Sequence, residues 1–256
     1  MPMSISETSN LVEMQGLTKR YGAFTAVQEL TFSVSYGQIF ALLGPNGAGK
    51  TTTIRMLMGI LAPTAGSARI AGFDCFGDRV EVKRRVGYLP DEPIFHDYLR
   101  GGEIIRFSGE MHGLTRAEID RRTRPLLQQL ELNDALEEFA VNYSRGMKKK
   151  LALVCAMIHD PALLILDEPT NGLDPFATRA LHELIRANAA AGKTIFFSTH
   201  LLDQAEKLST QIAIIAKGRL AAHGTLAALR TRLASDSSLE EIFFSVAGDA
   251  ASSPVQ

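Results

Sequence analysis

The chain has 256 residues, 46% of them hydrophobic and 21% charged, with a formal net charge of −1. That is a globular composition, long enough for one large core or two small ones, and its charge balance argues against a nucleic-acid surface, so no nucleic-acid partner is expected. The basic runs "TRAEIDRRTR" (115–124) and "RGMKKK" (145–150) accordingly read as solvated helix faces.

From the N-terminus, "MPMSISETSN" (1–10) lacks the basic start and apolar run of a signal peptide and reads as a flexible end. Next, "LVEMQGL" and "LTFSVSYG" alternate apolar and polar residues, with Leu30, Phe32 and Val34 set against Thr31, Ser33 and Ser35. They predict antiparallel strands with one buried face. Gln38 to Leu43 reads as a short buried strand, and Ile54, Leu57, Met58 and Leu61 recur at helical spacing. Between them lies "LLGPNGAGKTTT" (42–53), where Gly44, Gly49, Lys50 and Thr51 satisfy G-x-x-x-x-G-K-[ST]. A loop of this kind, Gly44, Pro45, Asn46, Gly47, Ala48 and Gly49 running into Lys50, Thr51 and Thr52, bares backbone N–H groups at a helix N-terminus and suits phosphate. The lysine would reach the outer phosphates and the Thr51 hydroxyl would ligate Mg2+. A nucleoside triphosphate is therefore expected to bind; the motif does not say what it is used for.

"SARIAG" (67–72) predicts a further strand, and from about 98 to 158 the pattern turns helical, with Ile104, Ile105, Phe107 and Met111 on one segment and Leu126, Leu127, Leu130 and Leu132 on another. Ser144 stands at an N-cap, followed by Met147, Leu151, Val154, Cys155 and Ile158 on one stripe. By itself this is a capped amphipathic helix to which an anion could be added. "ALLILDEP" (162–169), "TIFFST" (194–199) and "QIAIIA" (211–216) are short apolar strands separated by helices of crossover length. "AGDAASSPVQ" closes the chain with little to bury, so 246–256 is expected to be a flexible tail. Cys75 and Cys155 have no metal spacing and read as ordinary thiols of a reducing compartment. No apolar run reaches the roughly 18 residues of a membrane-spanning helix, so any membrane contact must pass through a partner.

These elements predict an α/β fold: a phosphate-loop NTPase core of parallel sheet flanked by helices, an N-terminal antiparallel β subdomain, and an inserted helical subdomain at about 90–160. One domain, 11–245, covers nearly the whole chain. In such a sheet, ligands gather outside the carboxyl ends of the strands, where Asp167 and Glu168 end one strand and His200 follows another. Asp167 is placed to hold magnesium and Glu168 to polarise water, unless the two only cap the next element. His200 can hold the terminal phosphate or the water, and the other five histidines read as surface or packing residues.

Order and spacing resemble the ATP-binding cassette (ABC) ATPases across nearly the full chain. "GPNGAGKTTT" resembles their Walker A loop, "LLILDEPTNGLD" their Walker B and D-loop, "STH" their switch histidine, and "YSRGMKKKL" their signature, usually centred on Leu-Ser-Gly-Gly-Gln. Tyr21, in "KRYG", sits where the family carries an aromatic that stacks on adenine. Two departures stand out. Asp91 replaces a glutamine that touches magnesium and senses the transmembrane partner, and Arg145 and Met147 replace Gly and Gln of the signature, whose Ser144 and Gly146 are kept. Both variants, and the ending "SLEEIFFSVAG" (238–248), are similar to the branch serving separate export-type permeases.

The resemblance implies ATP and Mg2+ as cofactors, with Thr51 and Asp167, and Asp91 as a further candidate, at the metal. It implies a head-to-tail dimer, as a homodimer or with a second ABC ATPase, in which Walker A faces Ser144 and Gly146 of the other subunit. Glu168 would act on water, His200 would support the γ-phosphate, and Asp174 would link the two sites. Asp174 and Pro175 equally form a cap and first-turn pair for a helix at 177–188. The expected function is an ATPase subunit at the inner face of the cell membrane, energising export through a separate permease. The alternatives are an ABC ATPase acting on ribosomes or DNA and a non-hydrolysing nucleotide-gated module. The single cassette, the lack of a long coiled-coil insertion and the balanced charge weigh against the first. Glu168 and His200 weigh against the second.

Overall fold

A computed structural model describes residues 10–232 and 238–252. In chain order its strands are β1 (Asn10–Tyr21), β2 (Phe24–Ser35), β3 (Ile39–Leu43), β4 (Ala65–Ile70), β5 (Phe73–Asp74), β6 (Val86–Leu89), β7 (Leu163–Leu166), β8 (Thr194–Thr199), β9 (Gln211–Ala216) and β10 (Arg219–Gly224). The helices are α1 (Lys50–Leu57), α2 (Arg79–Arg85), α3 (Gly101–Met111), α4 (Arg116–Gln129), α5 (Arg145–Met157), α6 (Pro175–Ala190), α7 (Leu202–Leu208), α8 (Leu226–Arg232) and α9 (Leu239–Ser252).

The strands form two sheets. β2-β1-β4-β5 is antiparallel throughout, as the alternation in "LTFSVSYG" requires. The second sheet, β10-β9-β3-β8-β7-β6, is parallel from β9 to β6, with β10 returning antiparallel on its edge. The unbroken apolar runs of this sheet arise because both faces are covered. Along β3, Ile39, Ala41 and Leu43 face the helical side, and Phe40 and Leu42 face the antiparallel sheet and α1. The same division recurs in β7, where Leu164 and Leu166 oppose Leu163 and Ile165, and in β9, where Ile212 and Ile214 oppose Ala213 and Ile215. Phe32, Phe40 and Phe196 stack in series at 5.2 Å and bind the two sheets together.

The helical insertion comprises α3, α4 and α5, within the segment expected. α4 begins on a Thr115/Glu118 capping box and α5 on the Ser144 cap, whose hydroxyl accepts the Met147 N–H at 3.2 Å. Three strands escape the sequence pattern, the two-residue β5 among them. β6 has four residues, one of them Gly87, where a Cβ would fall onto the Ala156 carbonyl oxygen of α5. β10, "RLAAHG", lacks apolar alternation because it only closes an edge.

The expected loose termini are partly in view. Residues 1–9 lie outside the described residues, and Asn10 already pairs with Ser35. The tail expected to be loose from 246 continues α9 as far as Ser252, its small residues being compatible with a helix, and 253–256 lie outside the described residues. The run "RGMKKK" is a correction: Lys149, read there as part of a solvated face, is 1% exposed. α5 turns that residue inward against the turn after β7, where carbonyl oxygens receive it.

Candidate nucleotide-binding site

The loop between β3 and α1 occupies the carboxyl end of the central strand. Its glycines serve different needs. At Gly44 a Cβ would lie 2.5 Å from the Ile215 carbonyl oxygen, and at Gly49, with φ +103°, 2.5 Å from that of Ala26. Those two positions are bare because the loop is wedged against neighbouring backbone. Gly47, with φ +78°, opens onto space. Gly49 caps α1 without any side-chain acceptor, so the helix's first N–H groups are left for a ligand. Lys50 curls back over the loop, donating to the Gly44 carbonyl at 2.7 Å and the Pro45 carbonyl at 3.2 Å.

Across the cleft, β7 is followed directly by Asp167 and Glu168, both buried. Glu168 Oε1 lies 3.0 Å from Lys50 Nζ, and Oε2 lies 2.9 Å from His200 Nδ1. The strand ends thus bring three predicted site residues into one chain of contacts. Asp167 accepts the Ser198 hydroxyl on Oδ1 at 2.6 Å. Burial raises its pKa, opposed by the Ser198 and Thr51 hydroxyls. Its Oδ2 is buried without a hydrogen-bond partner. An orphaned carboxylate oxygen beside a threonine hydroxyl is a donor set that fits a hard divalent cation such as Mg2+.

Glu168 has φ +44°, uncommon for a residue with a side chain. Its N–H donates to Ser198 Oγ at 2.9 Å, so one serine holds both the Asp167 carboxylate and the Glu168 backbone. Asp91 enters from the loop after β6. Its Oδ1 accepts Asn171 Nδ2 at 3.1 Å and Lys149 Nζ at 3.4 Å, with an Arg145 guanidinium nitrogen at 3.9 Å. The negative charge that replaces the family's neutral side chain therefore comes with compensating cations. Lys149 and Asn171 are functional neighbours the sequence reading missed; spacing alone gives no sign that a helix lysine points inward. Ser198 is the first residue of the "STH" ending and was within reach of it.

The cleft, about 450 Å³, is lined by Asn46 through Thr52, together with Asp91, Glu168 and His200. Phe24, Ala26 and Asn171 complete it. Gly44 and Pro45 lie beneath, holding Lys50, and Asp167 lies behind Glu168. Tyr21, Ser144 and Gly146 do not line the cleft. Tyr21 is 51% exposed and carries Lys19 Nζ 5.2 Å from its ring centroid, whereas Phe24, just past the hairpin turn, is 63% exposed on the cleft wall. Asp174 performs the capping role: Oδ1 accepts the Ala177 N–H at 2.8 Å, with Pro175 opening α6. The remaining histidines pack or lie at the surface as expected, including His223 against Phe32 and Phe40, and His159 stacked on His112 at 3.8 Å.

A parallel sheet carrying this loop, with an acidic pair on one adjoining strand and a histidine after another, defines a phosphate-loop nucleoside triphosphatase. The family model described as ABC transporter matches residues 27–171. The chain is 39% identical over 214 residues to the Nod factor export ATP-binding protein I of Ralstonia nicotianae, covering 84% of this chain and 67% of that protein. It is 36% identical over 231 residues to a daunorubicin/doxorubicin resistance ATP-binding protein of Streptomyces peucetius, covering 90% and 70%. A linearmycin resistance ATP-binding protein of Bacillus subtilis is 33% identical over 230 residues, covering 90% and 74%. Among solved structures, the ATP-binding subunit of an ABC transporter superposes with a TM-score of 0.87 at 36% identity, covering 92% of this chain and 99% of that one. An ATP-binding cassette dimer with ADP and inorganic phosphate shares the fold, with a TM-score of 0.76 at 20% identity over 84% of this chain and 98% of that one. The chain belongs to the ABC transporter family and is one of its ATPase subunits.

Proposed function

We propose that this subunit binds MgATP in the Lys50–Glu168–His200 cleft and hydrolyses it to energise export through a separate membrane permease, working head-to-tail with a second ATPase subunit. The contact chain from Lys50 through Glu168 to His200 carries the chemical part of the reading. Lys50 and the open N–H groups of α1 hold the terminal phosphates. Thr51 and Asp167 would hold Mg2+, which supplies charge neutralisation on the phosphates when bound. Glu168 orients or deprotonates water, and His200, in contact with that carboxylate, supports the γ-phosphate.

Ser144 and Gly146 lie away from the chain's own cleft, which favours their meeting the nucleotide of a second subunit. That partner is a copy of this chain or another ABC ATPase. Export as the direction is supported by the relatives named for Nod factor export and for drug resistance. No described helix is long and apolar enough to cross a membrane. That the relatives are named as ATP-binding proteins supports a permease on a separate chain, with the subunit working at the inner membrane face.

The test is Lys50→Ala in the assembled transporter. The variant should fold, remain associated with a membrane partner, and lose MgATP binding, turnover and substrate export together. Normal export by that assembly, or purification of the wild type with ribosomes or DNA and no membrane protein, overturns the proposal.

A further inference from the structure

Lys149 lies in the second turn of α5 and is nearly fully buried. A buried ammonium must have its charge met and its protons accepted. Nζ donates to the Glu168 carbonyl at 2.6 Å, to the Asn171 carbonyl at 3.1 Å and to Asp91 Oδ1 at 3.4 Å. Three donors meet three acceptors. Asn171 closes the ring by donating its side-chain amide to the same Asp91 oxygen at 3.1 Å and its backbone N–H to the Glu168 carbonyl at 3.1 Å.

The turn so clamped carries Glu168 in its left-handed conformation, which a side-chain-bearing residue keeps only where its surroundings over-determine it. The Glu168 N–H is fixed by Ser198 and its carbonyl by Lys149, so the peptide planes on both sides of its Cα are held. Those planes set the direction in which the side chain leaves the backbone.

We propose that Lys149 is a positioning residue for Glu168: anchored to Asp91, it grips the Glu168 and Asn171 carbonyls and fixes the aim of the Glu168 carboxylate at the cleft. The role of Asp91 follows. It is the counter-charge that keeps this ammonium in place, in a position where the family's glutamine would carry none. Because Lys149 rides on α5, whose N-terminus presents Ser144, a shift of that helix against the turn after β7 changes the aim of Glu168. The inference rests on Glu168 being the carboxylate that acts on water.

The test measures turnover and MgATP affinity of the full chain, alone or with its membrane partner, in whichever assembly gives wild-type turnover. Lys149→Met keeps the length and fills the buried space. It should lower kcat by about 10- to 100-fold, as misaiming a reacting group does, with the MgATP Kd changed by less than about threefold. Lys149→Gln, which keeps a donor for the Glu168 carbonyl, should fall between. Placed in a Glu168→Gln background, Lys149→Met should cause no further loss, because the group it aims is already gone. If Lys149→Met fails to fold, Lys149→Gln carries the same comparisons. Wild-type kcat in a folded Lys149 variant, parallel losses of affinity and turnover, or an undiminished further loss in the Glu168→Gln background would each overturn the role of Lys149. Normal turnover by Glu168→Gln alone would instead overturn the reading of Glu168 beneath it.

Discussion

The lysine that should grip phosphate is in contact with the carboxylate that should act on water, and Glu168→Gln separates the two consequences. Lys50 Nζ and Glu168 Oε1 are 3.0 Å apart with both side chains nearly buried. At an effective dielectric of about 20, two unit charges at that distance attract by about 5 kcal/mol before desolvation is counted. Desolvation offsets most of this, leaving about 1–2 kcal/mol that ATP must overcome when Lys50 turns to the γ-phosphate. The substitution removes that competition and a negative charge from beside the phosphate, so MgATP affinity should rise about 5- to 30-fold. Turnover should fall by about 100-fold or more, as expected for loss of a general base. With ATP retained between Walker A of one chain and Ser144 of another, the variant should also sediment as an ATP-dependent dimer, which a second change, Ser144→Arg, undoes without emptying the cleft. Competition against a fluorescent ATP analogue, phosphate release and sedimentation with and without MgATP give the three readings. Weaker ATP binding would refute the argument from charge competition, and near-normal phosphate release would refute the assignment of Glu168.

By isothermal titration, Gly49→Ala should cost at least about 1–2 kcal/mol for a side chain in a left-handed conformation, plus the displacement of the loop from the Ala26 carbonyl, and so lose nucleotide binding; Gly47→Ala, facing open space, should bind within about tenfold of wild type. Phe24→Ala should weaken ATP binding by about 5- to 10-fold, consistent with one lost aromatic stack, and leave inorganic triphosphate binding unchanged. A larger effect from Tyr21→Ala would return the adenine contact to the position first expected. Burial pushes the His159 pKa from 6.5 down to about 4, with the neighbouring His112 adding to it. A histidine depressed in the fold contributes stability that is complete above the unfolded value and is lost as pH falls from 6.5 toward 4. The ceiling is about 3 kcal/mol, reduced to about 1 kcal/mol by partial solvation of the ring. Urea unfolding at pH 7.5 and pH 5 should therefore show a larger loss in wild type than in His159→Phe, and equal losses would rule out this histidine as the source.

That the phosphate loop, Glu168 and His200 would share one cleft was legible in the sequence because each is a local device. A glycine-rich turn must sit between a strand and a helix, and acids that end a buried parallel strand must emerge on the ligand side of the sheet. The apolar runs of β3, β7, β8 and β9 likewise fixed the layered architecture, since only strands covered on both faces can be continuously apolar. What remained hidden depends on residues distant in the chain. β6 is a strand because β7 pairs with it, and Gly87 lies in it because the α5 backbone presses there. Phe24 rather than Tyr21 reaches the cleft wall because of how the β1–β2 hairpin lies over the loop, which no alternation pattern records. Lys149 is the clearest case. Between two other lysines near the start of α5 it reads as surface, and only the packing of α5 against the turn after β7 places it where two carbonyls and Asp91 accept its protons. Periodicity reports which face of a helix is apolar; whether a buried charge has partners is decided when elements from three parts of the chain meet.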